Sequence, residues 1–218
     1  MIDTMNSLTV VWDFNGTLLN DMQACINSLN VLLRSRGLRT VTSEFYRENF
    51  CFPVIHFYEQ LGLVPKDAED WEIIGESFHM RYLFSKHLKL QPYATEAVVT
   101  IRRLGLRQGV LSALEQGLLE LQLTQFGLAH YMDFISGSRS YDGASKTDAA
   151  AALGLKGRVV LIGDTEHDAE VARTQGWDAI LCSAGHHTAS RLKKWGYPVI
   201  DSLASLENTL QTFITSLN

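Results

Sequence analysis

A short β-branched and aromatic run, Leu8-Thr9-Val10-Val11-Trp12, passes directly into Asp13-Phe14-Asn15-Gly16-Thr17. A run of that length and composition reads as a buried strand, and the glycine-containing stretch behind it as a turn. Asp13 therefore falls at the carboxyl edge of a sheet, where the crevice of an open α/β sheet takes its ligands. From Ala94 onward helical and strand patterns alternate: helix 95–104, strand 109–111, helix 115–126, strand 134–135, helix 146–153, strand 158–162, helix 169–174, strand 178–182 and a terminal helix 203–214. Alternation of this kind predicts an α/β fold, a three-layer core with a mainly parallel sheet covered by helices on both faces.

Between the first strand and that alternation lies a segment, residues 20–90, with helical periodicity and no convincing strand. Met22, Ile26, Leu29, Leu32 and Leu33 recur at helical spacing, Gly37 is a natural stop, and Pro53, Gly62 and Pro65 punctuate further helices over 43–50, 54–61 and 69–87. The expected division is a core of residues 1–19 and 91–218 with an inserted α-helical domain of 20–90. A length of 218 residues, 46% of them hydrophobic, is enough for one sizeable core and a smaller insert. No apolar run approaches the ~20 residues of a membrane span, and the first residues carry no basic cluster, so a cytoplasmic protein is expected. A net charge of −5 argues against a nucleic-acid partner. Cys25, Cys51 and Cys182 show no metal-ligand spacing and read as free thiols.

Four positions then fall at strand ends or helix starts: Asp13, Ser112 after Gly109-Val110-Leu111, Lys146, and the acids of Gly163-Asp164-Thr165-Glu166-His167-Asp168. A carboxylate attacks phosphorus to form an acyl-phosphate only if the charge on both groups is offset. Magnesium on hard oxygen ligands such as Asp13 and Asp164 supplies that offset. The Ser112 hydroxyl and Lys146 ammonium suit phosphoryl oxygens as charge redistributes, and Gly16 permits a turn that points peptide N–H groups at the same oxygens.

In these residues the chain resembles the haloacid dehalogenase-like superfamily. The family's Asp-x-Asp-Gly-Thr-Leu stands here as Asp13-Phe14-Asn15-Gly16-Thr17-Leu18. Its hydroxyl after an apolar strand matches Ser112 in Val110-Leu111-Ser112-Ala113, its lone lysine matches Lys146 in Ala144-Ser145-Lys146-Thr147, and its Gly-Asp-x-x-x-Asp matches residues 163–168. The resemblance spans nearly the whole chain. It implies a Rossmann-like core, a helical cap of the phosphoglycolate phosphatase-like branch, and a Mg²⁺ cofactor held by Asp13, the Asn15 carbonyl, Asp164 and, indirectly, Asp168. It also implies a small phosphorylated substrate, with Asp13 as nucleophile and Asn15, Ser112 and Lys146 completing the catalytic set. Gly16, Thr17, Ser112, Ala113 and Lys146 are then expected around the phosphoryl group. Arg47 and His56 flank Asn49-Phe50-Cys51-Phe52-Pro53, which matches the family's specificity loop, and are weighed as substrate contacts against cap packing. Oligomeric state is not legible.

One departure matters. Family phosphatases carry at position 15 the Asp that protonates the leaving group and activates water; an amide has no titratable proton, and general acid–base help is worth roughly 10²–10⁴-fold. Three readings stay open: a slow phosphatase, an enzyme that recruits another acid, and a catalytically silent phosphoryl-binding protein. The acidic pair Asp164 and Asp168 disfavours a metal-free dehalogenase, and the absence of lysine between Asp13 and Lys66 disfavours phosphonate cleavage. His186-His187 reads as a surface pair, His167 as a solvent-facing loop residue, and Trp12, Trp71, Trp177 and Trp195 as packing.

Overall fold

A computed structural model describes residues 8–138 and 146–215; Met1–Ser7, Ala144 and Ser145 lie outside them. The chain runs β1 (Thr9–Trp12), β2 (Leu19–Asn20), α1 (Met22–Ser35), α2 (Ser43–Asn49), α3 (Val54–Gln60), α4 (Ala68–Leu83), β3 (Lys89–Leu90), α5 (Ala94–Arg103) and β4 (Arg107–Glu115). It continues with α6 (Gln116–Gln125), β5 (Phe134–Ser138), α7 (Lys146–Ala152), β6 (Val159–Gly163), α8 (Glu166–Gln175), β7 (Asp178–Cys182), α9 (Ala189–Leu192), β8 (Val199–Ile200) and α10 (Leu206–Thr215).

Six strands form a sheet in the order β5-β4-β1-β6-β7-β8, parallel throughout. Strand side chains alternate between its faces, and the apolar residues divide accordingly. Val10, Trp12, Val110, Val160, Ile162 and Ile180 pack with α5, α6 and α10. Val11, Leu111, Val159, Leu161, Ala179 and Leu181 pack with α7, α8 and α9 on the other face. The predicted Rossmann-like three-layer α/β core is therefore present. β1 is central, paired to β4 on one side and β6 on the other, so the chain order reverses there and a crevice opens at the carboxyl ends of these strands. The helices α1–α4 hold an apolar cluster of their own, with Leu29, Leu33, Phe57 and Ile74 at its centre.

Several boundaries differ from expectation. β2 and β3 form an antiparallel two-residue pair where the sequence reads no strand, because two residues carry no alternation. β4 runs to Glu115, past the expected end at Leu111, so Ser112 lies inside the strand, at a register shift against β5. α8 begins at Glu166, three residues earlier than its first apolar residue suggests, because Thr165 caps it with Asp168 in a reciprocal capping box. The three cysteines are free thiols, and no helix among the described residues is long and apolar enough to cross a membrane.

Candidate active site

Asp13 leaves the central strand with its amide donating to the Ile162 carbonyl at 2.8 Å. Gly16 turns the chain at φ 82°, and a Cβ there would stand 2.2 Å from Asp164 Oδ2, so only glycine fits this turn. Asp164, at the end of the neighbouring strand, accepts from Thr17 Oγ1 at 2.8 Å and from the His186 amide at 2.7 Å. Asp168 in the first turn of α8 accepts from the Thr165 amide and hydroxyl on Oδ2 and from Lys146 Nζ, at 2.5 Å, on Oδ1. Gly163 is required for this approach, since a Cβ would meet the Asp168 carboxyl carbon at 2.3 Å. Lys146 also reaches Asp13 Oδ1 at 2.5 Å, so one ammonium bridges two carboxylates.

Carboxylate oxygens of Asp13, Asp164 and Asp168 lie within 4.8 Å of one another. Burial pushes the Asp13 carboxyl up, and the charges of Asp168 and Asp164 add to that against Lys146. Burial and Asp168 push Asp164 up to about 6. Burial, the largest effect, would also raise Asp168, but the Lys146 charge together with the hydrogen bonds from Lys146 and Thr165 holds Asp168 low; burial would lower the lysine, and its two carboxylates raise it instead. Three buried acids against one ammonium leave the cluster short of positive charge, which is the setting a divalent cation with oxygen ligands completes.

Asn15 is held away from this cluster. Its Nδ2 donates to Asp21 Oδ2 at 2.9 Å and to the Tyr82 hydroxyl at 2.7 Å, while Ser112 Oγ donates to its Oδ1 at 3.4 Å. Asp21 also accepts from Tyr82 at 2.8 Å and pairs with His186 Nε2 at 3.0 Å. Burial opposes both charges in that pair. Even so, His186 and the two donors lower Asp21, and Asp21 lifts His186 to about 9.

The sequence-derived residues separate into those on the cavity wall and those behind it. Asp13, Asn15, Ser112, Ala113 and Lys146 line the cavity. Gly16 and Thr17 do not: the Gly16 amide donates to the Leu19 carbonyl rather than to the cavity, and the Thr17 hydroxyl orients Asp164. Arg47 reaches the Ser183 and His187 carbonyls at 2.5 and 3.1 Å, which makes it a tether between α2 and the β7–α9 loop. His56 is exposed and off the wall. His186 and His187 are both buried rather than a surface pair, and His167 sits against the Phe52 ring at 5.1 Å between centroids. Trp71 lines the cavity.

Residues 10–182 match the model of the haloacid dehalogenase-like hydrolase family. The chain belongs to that family. No curated protein matches this hydrolase. Among solved structures, a predicted phosphatase from Clostridium acetobutylicum superposes with a TM-score of 0.78 at 19% identity, covering 94% of this chain and 99% of the other. A predicted phosphoglycolate phosphatase from Haemophilus somnus gives 0.71 at 16%, covering 95% and 99%. The Protein Tyrosine Kinase A of Mycobacterium tuberculosis gives 0.76 at 21%, covering 93% and 97%. Identities this low speak for the fold alone, and the differing names show that the fold does not choose the reaction.

Sequence reasoning missed Asp21, Tyr82 and His186. Asp21 stands at the N-cap of α1 yet makes no capping bond, so the local sequence suggests a different partner from the one it has. His186 meets Asp21 across 165 positions, a separation that no periodicity reports.

Proposed function

We propose that this hydrolase is a magnesium-dependent phosphatase acting on a small phosphate monoester through an aspartyl-phosphate on Asp13. The observation that carries the reading is the Lys146 ammonium bridging Asp13 and Asp168 beside the third buried acid, Asp164. Mg²⁺ would be held by Asp13, the Asn15 carbonyl and Asp164, and when bound it offsets the charge of carboxylate and phosphate. Asp168 holds Lys146 on one oxygen and Thr165 on the other and would reach the metal through water. In the first half-reaction an Asp13 carboxylate oxygen bonds to phosphorus and the bond to the ester oxygen breaks, its electron pair and then a solvent proton going to the departing alcohol. In the second, a water oxygen bonds to phosphorus, the water proton passes to solvent, and the Asp13 carboxylate leaves. Lys146 and the Ser112 hydroxyl bind the phosphoryl oxygens. Residues 20–90 act as a cap over a core of 1–19 and 91–218, excluding bulk water and selecting the alcohol.

A panel of phosphate esters assayed with Mg²⁺ and with EDTA tests this. Metal-dependent phosphate release that vanishes in a folded Asp13→Asn variant is the expected result; release by that variant near the wild-type rate would refute the covalent route. A second reading, a phosphoryl-binding protein without turnover, is favoured by the Asn15 side chain, which has no proton to give and is committed to Asp21 and Tyr82. Binding of phosphate with Mg²⁺ by a protein that cleaves no ester would select it.

A further inference from the structure

The cavity above Asp13 holds about 200 Å³. Asp13, Asn15, Ser112 and Lys146 bring polar groups to it from the core, and the helical segment supplies a wall of rings and aliphatics that includes Leu29, Phe50, Phe52, Phe57, Trp71 and Phe78. Phe50 stands edge-to-face to Phe52 and to Phe57, with centroids 5.2 and 5.5 Å apart. Most ionisable groups on the wall are engaged; His79 and His167 line it too, His79 Nδ1 on the Gly75 carbonyl and His167 Nδ1 near Glu170, while His167 Nε2 is buried without a partner. Lys146 lies between two carboxylates, His186 between Asp21 and the Tyr46 hydroxyl, and Glu115 caps α6. Arg47 turns Nη2 to backbone carbonyls, and neither it nor His56 is on the wall. The wall also carries the Asp21 carboxyl, paired with His186 at 3.0 Å and with Tyr82 at 2.8 Å.

We propose that the part of the substrate beyond the phosphate is an uncharged apolar group about the size of one aromatic ring, seated on the ring-lined wall of α1–α4. The proposal rests on the phosphatase reading for the chemistry but not for the selectivity. A carboxylate or second phosphate seated among these rings would lose its water, and no lysine or arginine of the helical segment lines the cavity to pair with it. An aromatic ring gains apolar burial and edge-to-face contacts, and an apolar cavity of ~150 Å³ is known to stay dry and accept benzene. The space available admits a ring together with a phosphoryl group.

The test compares alkyl esters, so that the departing alkoxides make similar demands for a proton and the missing acid at position 15 affects all of them. Rates with 2-phenylethyl phosphate, ethyl phosphate and phosphoglycolate are measured with Mg²⁺. In parallel, binding of 3-phenylpropylphosphonate and 3-phosphonopropionate is measured by calorimetry. The phenylethyl ester is expected to exceed both others in kcat/KM by at least ~10-fold, and the phenylpropylphosphonate to bind at least ~10-fold more tightly than the carboxylate one. Phe78→Arg should shift both ratios toward the carboxylate compounds, and Trp71→Ala should reduce both if the arginine variant does not fold. Equal or better use of phosphoglycolate, equal binding of the two phosphonates, or binding of neither overturns the proposal. If no ester is cleaved while the phenyl phosphonate keeps its advantage, the hydrolytic reading fails and the pocket assignment stands; if esters are cleaved without preference, the reverse holds.

Discussion

Asn15 and Asp21 share one hydrogen bond in which the amide donates and the carboxylate accepts. An acid at position 15 would set two carboxylates against each other at that distance, at a cost of like-charge repulsion or of a proton shared between them. The simple repair, Asn15→Asp, is therefore expected to lower the melting temperature and to give only part of the catalytic gain of an added acid. The exchange Asn15→Asp with Asp21→Asn keeps one donor and one acceptor in the pair, although it gives up the charge facing His186. Relative to Asn15→Asp alone, the double variant should recover stability and raise ester hydrolysis, by up to ~10²–10⁴-fold over wild type if proton transfer limits the rate. A double-mutant cycle in stability and rate measures the coupling directly; additive effects would show that the two side chains act independently.

The helical segment is joined to the core by two arginines acting in opposite directions. Arg47 of α2 donates to carbonyls of the core loop after β7, and Arg191 of α9 donates to the Arg47 and Phe50 carbonyls at 3.0 and 2.9 Å while pairing with Glu166. Arg191 is buried. Truncating it strands two carbonyls and a carboxylate, a loss of about 2–4 kcal/mol by the usual cost of unpaired buried groups. Arg191→Ala should fall by that amount in urea unfolding and, if the helical segment receives the alcohol as proposed, should raise KM for any ester more than it lowers kcat. An unchanged KM would mean the segment is positioned by its apolar contacts alone.

At the scale of the molecule, two titrations give testable pH handles. Burial, with Arg191 and His186, lowers His187 to about 3, against about 6.5 in the unfolded chain. The unfolded state therefore takes up this proton first. The contribution of His187 is fully retained above pH 6.5 and is lost as pH falls toward 3, by about 2–3 kcal/mol at pH 4.5. A His187→Gln variant should show a flatter pH dependence of its melting temperature over that window, and an unaltered slope would remove His187 as the cause. Magnesium supplies the second handle. A cation that binds only the folded state raises the melting temperature by mass action, about 2.7 kcal/mol at a hundred times its Kd. The shift should be absent in Asp164→Asn. It should fade as pH drops through about 6, where the Asp164 carboxyl takes up its proton and competes with the metal. A shift that persists in the variant would place the cation elsewhere.

What the sequence determined by itself is the core and the order in which chemistry-bearing residues meet its edge. Strands such as Val159–Gly163 are continuous apolar runs because both faces of a parallel sheet are covered, and local composition therefore reports them. Asp13, Ser112, Lys146 and Asp164 were legible because each lies beside such a run or at a helix start. Tertiary structure alone decided what occupies the neighbourhood of Asn15, since Asp21, Tyr82 and His186 meet there from three distant parts of the chain. It also decided that Thr17, Gly16 and Arg47 spend their polar groups inside the protein. Hydrogen bonds to partners far away in sequence leave no periodic trace, so a residue's type and position announce its chemistry while its partners fix how that chemistry is used.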